Sequence, residues 1–199
     1  MLISAQQVSH SFAGQEALLH EVSFAVGGGQ TLAVTGPSGC GKSTLLAIVA
    51  GWLTPRSGSV DRDEVRRLTW VPQNPYGVPQ RSALDHVLLP MLARGEPRKM
   101  AKPYGMATLA RFGIEQLADR PFGHLSGGEA QRLMLARAVA SEADLILVDE
   151  PTAQLDPGAA GAVVGVLNGL AAGGAAVIIA THDPRVVQVC SDLLSLSRP

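Results

Sequence analysis

TLAVTGPSGCGKSTLLAIVAG, residues 31–51, is the stretch from which the rest of the chain can be read. Leu32, Ala33, Val34 and Thr35 have the makeup of a short buried strand, and Ser43 onward that of an amphipathic helix. Between them Gly36, Pro37, Ser38, Gly39, Cys40, Gly41, Lys42 and Ser43 fit G-x-x-x-x-G-K-[ST], with the strand before and helix after that the pattern requires. The glycines permit backbone conformations that a Cβ would block, so successive N–H groups can turn inward around a polyphosphate. The N-terminus of the following helix adds its dipole to that anion site. Lys42 supplies a point charge for the β- and γ-phosphates, and the Ser43 hydroxyl can ligate Mg²⁺. An ordinary glycine-rich turn is the alternative, and correct flanks on both sides weigh against it.

Composition narrows the partners. A chain of 199 residues allows one α/β unit, with or without lobes, and its 46% apolar fraction suits a real core. A formal net charge of −1 gives no long-range attraction to nucleic acid, so no nucleic-acid partner is expected. Arg62, Arg66, Arg67, Arg94, Arg98 and Lys99 read as solvated faces. Cys40 and Cys190 make no disulfide framework, which suits a reducing compartment. The start, MLISAQQVSH, lacks the features of a signal peptide.

Residues 157–181 carry no charge and could cross a bilayer by length alone. The run breaks up on inspection. Asp156-Pro157 opens a helix containing Asn168, Gly173-Gly174 closes it, and Ala176–Ala180 reads as a buried parallel strand. No membrane segment is expected. Upstream, two strand-like runs, 2–12 and 17–26, flank a turn at Ala13-Gly14-Gln15, and Phe12 stands where an aromatic could stack on adenine. Brief strands follow at 59–61 and 68–71, the latter ending at Pro72-Gln73. Residues 82–122 are helical in character, with breaks expected at Gly95-Glu96-Pro97 and at Lys102-Pro103.

Further on, Ser126 is a good N-cap and Glu129 completes a capping box. A second reading stands level with that one: the Ser126 hydroxyl and the N–H groups of Gly127 and Gly128 can bind phosphate at a helix start. Leu145–Val148 reads as a buried strand ending in Asp149 and Glu150. Beside a phosphate loop, Asp149 suits the Mg²⁺ side, through water, and Glu150 can reach the attacking water. Asp156 caps the next helix. His182, after a parallel strand, can sit near the γ-phosphate.

Taken together these motifs resemble the ATP-binding subunit of an ABC transporter over nearly the whole chain. GPSGCGKST, ending at Thr44, is similar to that family's phosphate loop, Gln73 to its Q-loop and LSGGEAQR to its signature. LILVDEPT resembles its Walker B strand with the following glutamate, AQLD its D-loop and THD its switch histidine. The order of these motifs is more specific than any one of them. The resemblance implies an α/β fold, a P-loop NTPase core with a parallel sheet, an N-terminal antiparallel part and an inserted helical subdomain. A single ABC ATP-binding domain would span 1–199, with the helical subdomain at about 74–139.

The resemblance further implies ATP and Mg²⁺ as cofactors, with Ser43, Gln73 and Asp149 toward the metal and Glu150, His182 and Gln73 in catalysis. Phe12 matches the family's adenine-stacking aromatic, which is usually Tyr. A second ATP-binding subunit, identical or not, would pack head to tail, bringing its signature residues onto the first subunit's phosphate loop. Asp156 would speak across that dimer. Hydrolysis would drive separate integral membrane permease subunits from a cytoplasmic position on the inner face of the membrane. Apolar side chains around Val78, Leu88 and Leu92 are candidates for docking them. The stretch His86–Gly95 is similar to compact lipoprotein-release and macrolide-efflux subunits, which leans toward export, although some amino-acid importers share it. Signalling to cell-wall enzymes through a membrane partner remains an alternative. A DNA-repair ATPase fits poorly, since residues 44–125 hold no heptads. The short connection from Gly58 to Trp70 departs from many relatives, and no regulatory domain is expected after Pro199.

Overall fold

The structure, a computed structural model, describes residues 2–14, 16–62, 64–153 and 155–197, with only the backbone of 168 and 172. Gln15, Gln154 and Pro199, named above, lie outside that set. Among the described residues, five parallel strands form the centre in the order β5 (Leu68–Val71), β6 (Leu145–Asp149), β7 (Ala176–Ala180), β3 (Thr31–Thr35), β8 (Asp192–Ser195). A smaller antiparallel sheet runs β2 (Leu19–Val26), β1 (Ile3–His10), β4 (Ser57–Asp61). Helical segments join the strands: α1 (Lys42–Val49), α2 (Ala83–Ala93), α3 (Arg98–Arg111), α4 (Gly127–Ala140), α5 (Pro157–Ala172) and the short α6 (Pro184–Gln188). This is the expected α/β class, with a parallel core, an antiparallel N-terminal part and helices inserted between β5 and β6.

Alternation along the central strands sends side chains to two cores. Ile146, Val148, Val177 and Ile179 meet α2 to α5 on one face. Leu145, Leu147, Ile178 and Val34 meet α1 and the antiparallel sheet on the other. A strand buried on both faces reads as a continuous apolar run, which is why 145–148 and 176–180 are unbroken. Each fully buried Leu or Ile, such as Leu45 and Ile48 of α1, contributes about 2 kcal/mol relative to exposure. No helix among the described residues is long and apolar enough to cross a membrane.

Two expectations change. Lys102-Pro103 does not break the helix, because α3 continues through Pro103. The missing N–H and the ring of an interior proline cost roughly 3 kcal/mol. Packing against α2 offsets that cost: α3 comes so close that a Cβ on Gly105 would lie 2.6 Å from Leu88 Cδ2. Nor are Arg62 and Arg94 merely solvated. Arg94 Nη1 donates to the carbonyls of Ala140 and Ser141, at 3.1 and 3.0 Å, closing the end of α4. Arg62 donates from Nε to Val49 O at 3.1 Å and from Nη2 to Ile48 O at 3.0 Å, satisfying carbonyls at the end of α1.

Arg62→Met keeps the apolar stem and removes both donors. Urea unfolding should show a loss of about 2 kcal/mol, with a lower midpoint and an unchanged slope.

Candidate nucleotide site

The strand order decides which side chains meet. Read across the carboxyl edge of the sheet, β5 leads to Gln73, β6 ends at Asp149 and Glu150, β7 leads to His182, and β3 runs into residues 36–43. These segments surround one cleft of about 640 Å³ whose walls include Gly36–Gly39, Gly41–Thr44, Gln73, Asp149, Glu150 and His182. A cleft outside the carboxyl ends of parallel strands is where such folds bind ligands.

The loop after β3 is tightly wound. Gly36 has φ +148°, and a Cβ there would meet Leu196 O at 2.5 Å and Cys40 Sγ at 2.6 Å. Gly41 is left-handed at φ 98° and opens α1 without a side-chain cap, so the first-turn N–H groups are available to an anion. Lys42 Nζ donates to Gly36 O at 2.9 Å and to Pro37 O at 3.4 Å, and lies 3.8 Å from Glu150 Oε1. Its charge is therefore held over the loop. Cys40 is buried beneath the loop rather than lining the cleft.

Burial pushes the Asp149 carboxyl above the usual range; a hydrogen bond from Ser43 opposes that, the Glu150 charge adds to it, and Lys42 opposes it. One hydroxyl and one carboxylate in contact are the donor set of an ion held chiefly by phosphate oxygens and water, which fits Mg²⁺. A cation there would also relieve the buried charge of Asp149. Glu150 follows with a φ of 48°, and its N–H donates to Ala180 O at 2.8 Å. That turn aims the carboxylate at the end of β7. Glu150 Oε2 lies 2.8 Å from His182 Nδ1 and accepts from the His182 backbone N–H at 3.4 Å. The Glu150 side chain is 9% exposed and that of His182 71%, so the pair joins a buried carboxylate to a ring facing the cleft. Such a carboxylate could orient water toward a bound phosphate, and such a ring could move a proton or hold that geometry.

Other anticipated residues lie apart. Ser126, Gly127, Gly128 and Asp156 line a second cleft with Arg132 and Leu155, and that cleft shares no lining residue with the first. Both readings of Ser126 remain compatible with its geometry, since the capping box is formed: Ser126 N donates to Glu129 Oε2 at 2.7 Å and Glu129 N to Ser126 Oγ at 3.3 Å. The backbone N–H of Ser126 holds the Glu129 carboxyl below its usual range. Asp156 caps α5, accepting from Gly158 N and Ala159 N, each at 3.0 Å. Phe12 is half-exposed, stands edge-on to His10 at 5.0 Å, and is not among the residues lining the phosphate cleft, whereas Leu18 is. Sequence reasoning missed Leu18, which carries no motif. It also missed a buried link behind the cleft: Thr152 Oγ1 donates to Asp183 Oδ2 at 2.8 Å. The hydrogen bonds from Arg185 hold the Asp183 carboxyl down to about 2.

A family model described as ABC transporter matches residues 19–153. The lipoprotein-releasing system ATP-binding protein LolD of Chromohalobacter salexigens is 37% identical over 183 residues, covering 84% of this chain and 77% of that protein. The zinc import ATP-binding protein ZnuC of Cereibacter sphaeroides is 37% identical over 182 residues, covering 90% and 72% respectively. Among solved structures, the dimeric post-hydrolysis state of the ATP-binding cassette MJ0796 bound to ADP and Pi matches with a TM-score of 0.88. That match is at 26% identity and covers 98% of this chain and 96% of the other.

The depressed Asp183 pKa sets an acid-stability window. A carboxylate held below its unfolded value contributes stability above about pH 4, and that contribution drains away as pH falls toward 2. Asp183→Asn should therefore be less stable than the parent at pH 7, with the gap in urea midpoint narrowing between pH 4 and pH 2.

Proposed function

The chain belongs to the ABC transporter family and carries that family's ATPase cassette; from this premise we propose that residues 1–199 act as one MgATP-hydrolysing domain that powers a separate membrane partner. The observation that carries the proposal is the division of the chemistry between two clefts. The phosphate loop, Asp149, Glu150 and His182 share one, and the signature residues stand in another. A site split in this way is completed by a second copy or a similar subunit arranged head to tail. The dimeric form in which the MJ0796 cassette is known supports that arrangement.

In this reading the N–H groups of 36–44 other than the proline at 37, with the Lys42 ammonium, hold the phosphates, while Phe12 supplies a face for the base. Mg²⁺, near Ser43, Asp149 and Gln73, would neutralise charge on the phosphates. Glu150 orients the attacking water, and His182 keeps the Glu150 carboxylate and the γ-phosphate in mutual register. Ser126, Gly127 and Gly128 of the partner close over the nucleotide, and Asp156 transmits that closure. Gln73, at the end of β5, links the site to the helical lobe of about 74–139.

That lobe offers a surface for the membrane partner, on the inner face of the membrane. Of the three side chains considered for docking, Val78 is exposed, Leu92 is partly buried and Leu88 lies fully in the core, where it cannot dock anything. A neighbouring groove of about 560 Å³ holds Trp52, Trp70, Tyr76, Leu89 and Pro90. Trp52 and Tyr76 are each 67% exposed, far more than large aromatics are in a sealed core. The groove suits an apolar element of a permease. Relatives divide between a releasing and an importing system, so the proposal takes the step they share, and direction rests with the permease.

Glu150→Gln should lower ATP turnover about 100-fold or more while nucleotide affinity stays within about threefold. Lys42→Ala should weaken nucleotide binding itself about tenfold or more, because it removes a charged phosphate contact. Steady-state hydrolysis and equilibrium binding separate the two, and normal turnover in Glu150→Gln would remove the assignment.

Cys40 is 1% exposed and unsuited as a probe, so the split site is tested through Ser38→Cys and Ser126→Cys in a chain that also carries Glu150→Gln and Cys190→Ala. A short thiol cross-linker should give covalent dimers that form with ATP and fade without it. Cross-links confined to one chain would mean that a monomer completes its own site.

A further inference from the structure

Beyond the last ladder pair, Asp149 with Ala180, β6 and β7 leave the sheet as two adjacent loops. Backbone pairing carries them one step further, through Glu150 N to Ala180 O at 2.8 Å. From there, side chains hold the loops together at two levels. The outer link is Glu150 with His182, open to the cleft. The inner link is Thr152 with Asp183, and these residues are 7% and 8% exposed.

The inner link is built asymmetrically. On the β7 side Asp183 is fastened many times over. It accepts from Arg185 N at 2.9 Å, from Arg185 Nε at 3.0 Å and from Nη2 at 2.7 Å, and its own N–H donates to Thr181 Oγ1 at 3.0 Å. Ionised near pH 7, the carboxylate can only accept, so the Thr152 hydroxyl is the donor. Asp183 keeps its Arg185 partners whether or not Thr152 is present, and removal of the hydroxyl leaves no bare buried charge. The bond is therefore spare as a means of satisfying Asp183. What it adds is a second, buried tie between the loops. The loop it restrains carries Glu150 at a φ of 48°, a conformation that non-glycine residues keep only where their surroundings hold it. It also runs on to Asp156, the cap of α5.

We propose that Thr152 is a positioning residue: through Asp183 it locks the loop that carries Glu150 to the loop that carries His182, so that the two move as one piece. Thr152 is not in the lining of the cleft and acts through its neighbours. For turnover this rests on the ATPase reading above. A displacement of either loop is then shared by Glu150 and His182 together, and their 2.8 Å contact survives it.

The full-length chain is compared with Thr152→Val, which removes the hydroxyl at similar size, and Thr152→Ser, which keeps it. Thr152→Val should turn over ATP about tenfold more slowly with KM within about twofold of the parent, a loss in keeping with one buried hydrogen bond and a shift at the reacting groups. Thr152→Ser should recover most of that rate. If valine prevents folding, Thr152→Ala carries the same expectation. A turnover for the hydroxyl-less variant equal to the parent's, or a serine variant as slow as the valine one, overturns the proposal. Amide hydrogen exchange without nucleotide gives a second arm that needs no turnover. Residues 150–153 and 181–183 should both exchange faster in the hydroxyl-less variant, and acceleration in one loop alone overturns the lock. A parent chain without ATPase activity would defeat the functional reading above, while the exchange arm would still decide the lock.

Discussion

Parallel pairing of β7 between β6 and β3 is the constraint on which everything else rests. Its register sets Asp149 beside Ala180 and Val34 beside Ala180 from the other side, so three loops leave the sheet at one height. Groups far apart along the chain then come together: Lys42 lies 3.8 Å from Glu150, Glu150 lies 2.8 Å from His182, and Ser43 is hydrogen-bonded to Asp149. A slip of one residue in either ladder would turn the apolar side chains of β7 to the wrong core and separate the loops as well. Core and site therefore share one specification.

The electrostatics follow from that crowding. Two acidic residues, Asp149 and Glu150, stand next to each other, both largely buried, and burial raises the cost of keeping Asp149 charged. Lys42 answers part of that charge from 3.8 Å while the same ammonium donates to the carbonyls of Gly36 and Pro37. A polyphosphate offers Lys42 stronger acceptors than those neutral carbonyls. Binding can thus redistribute hydrogen bonds already present instead of creating a charged pocket from nothing.

Much of this was legible in the residues. The strand and helix that flank 36–43 were legible, and so was a cleft at that loop, because the spacing of glycines before Lys-Ser reads as a phosphate loop. The two buried strands were legible because a sheet covered on both faces demands uninterrupted apolar runs. The continuity of α3 through Pro103 was not, since proline signals a break locally and the packing of α3 against α2, close at Gly105 and Leu88, offsets it. Arg62 and Arg94 were misread for a related reason: a charged side chain does not announce that carbonyls of a distant helix end await it. Leu88 likewise reads as an open apolar side chain until the helix above it is placed. The link from Thr152 to Asp183 lay hidden because a threonine and an aspartate signal nothing until two strands bring their loops together.

The tight contact of Gly36 with the carbonyl of Leu196 bears on how the molecule is made. Strand β3 is flanked by β7 and β8, and it is further tied by Thr31 N to Ser191 Oγ at 2.9 Å and by Ser191 N to Thr31 Oγ1 at 2.7 Å. Residues 31–35 leave the ribosome before either neighbour exists. The sheet that carries the phosphate loop therefore cannot assemble on the nascent chain while the helices of 83–140 are emerging. Strand pairings between distant residues form late and slowly. In a chain synthesised from its N-terminus, the nucleotide site is one of the last parts to become whole, and an unfinished cassette holds no competent site with which to consume ATP.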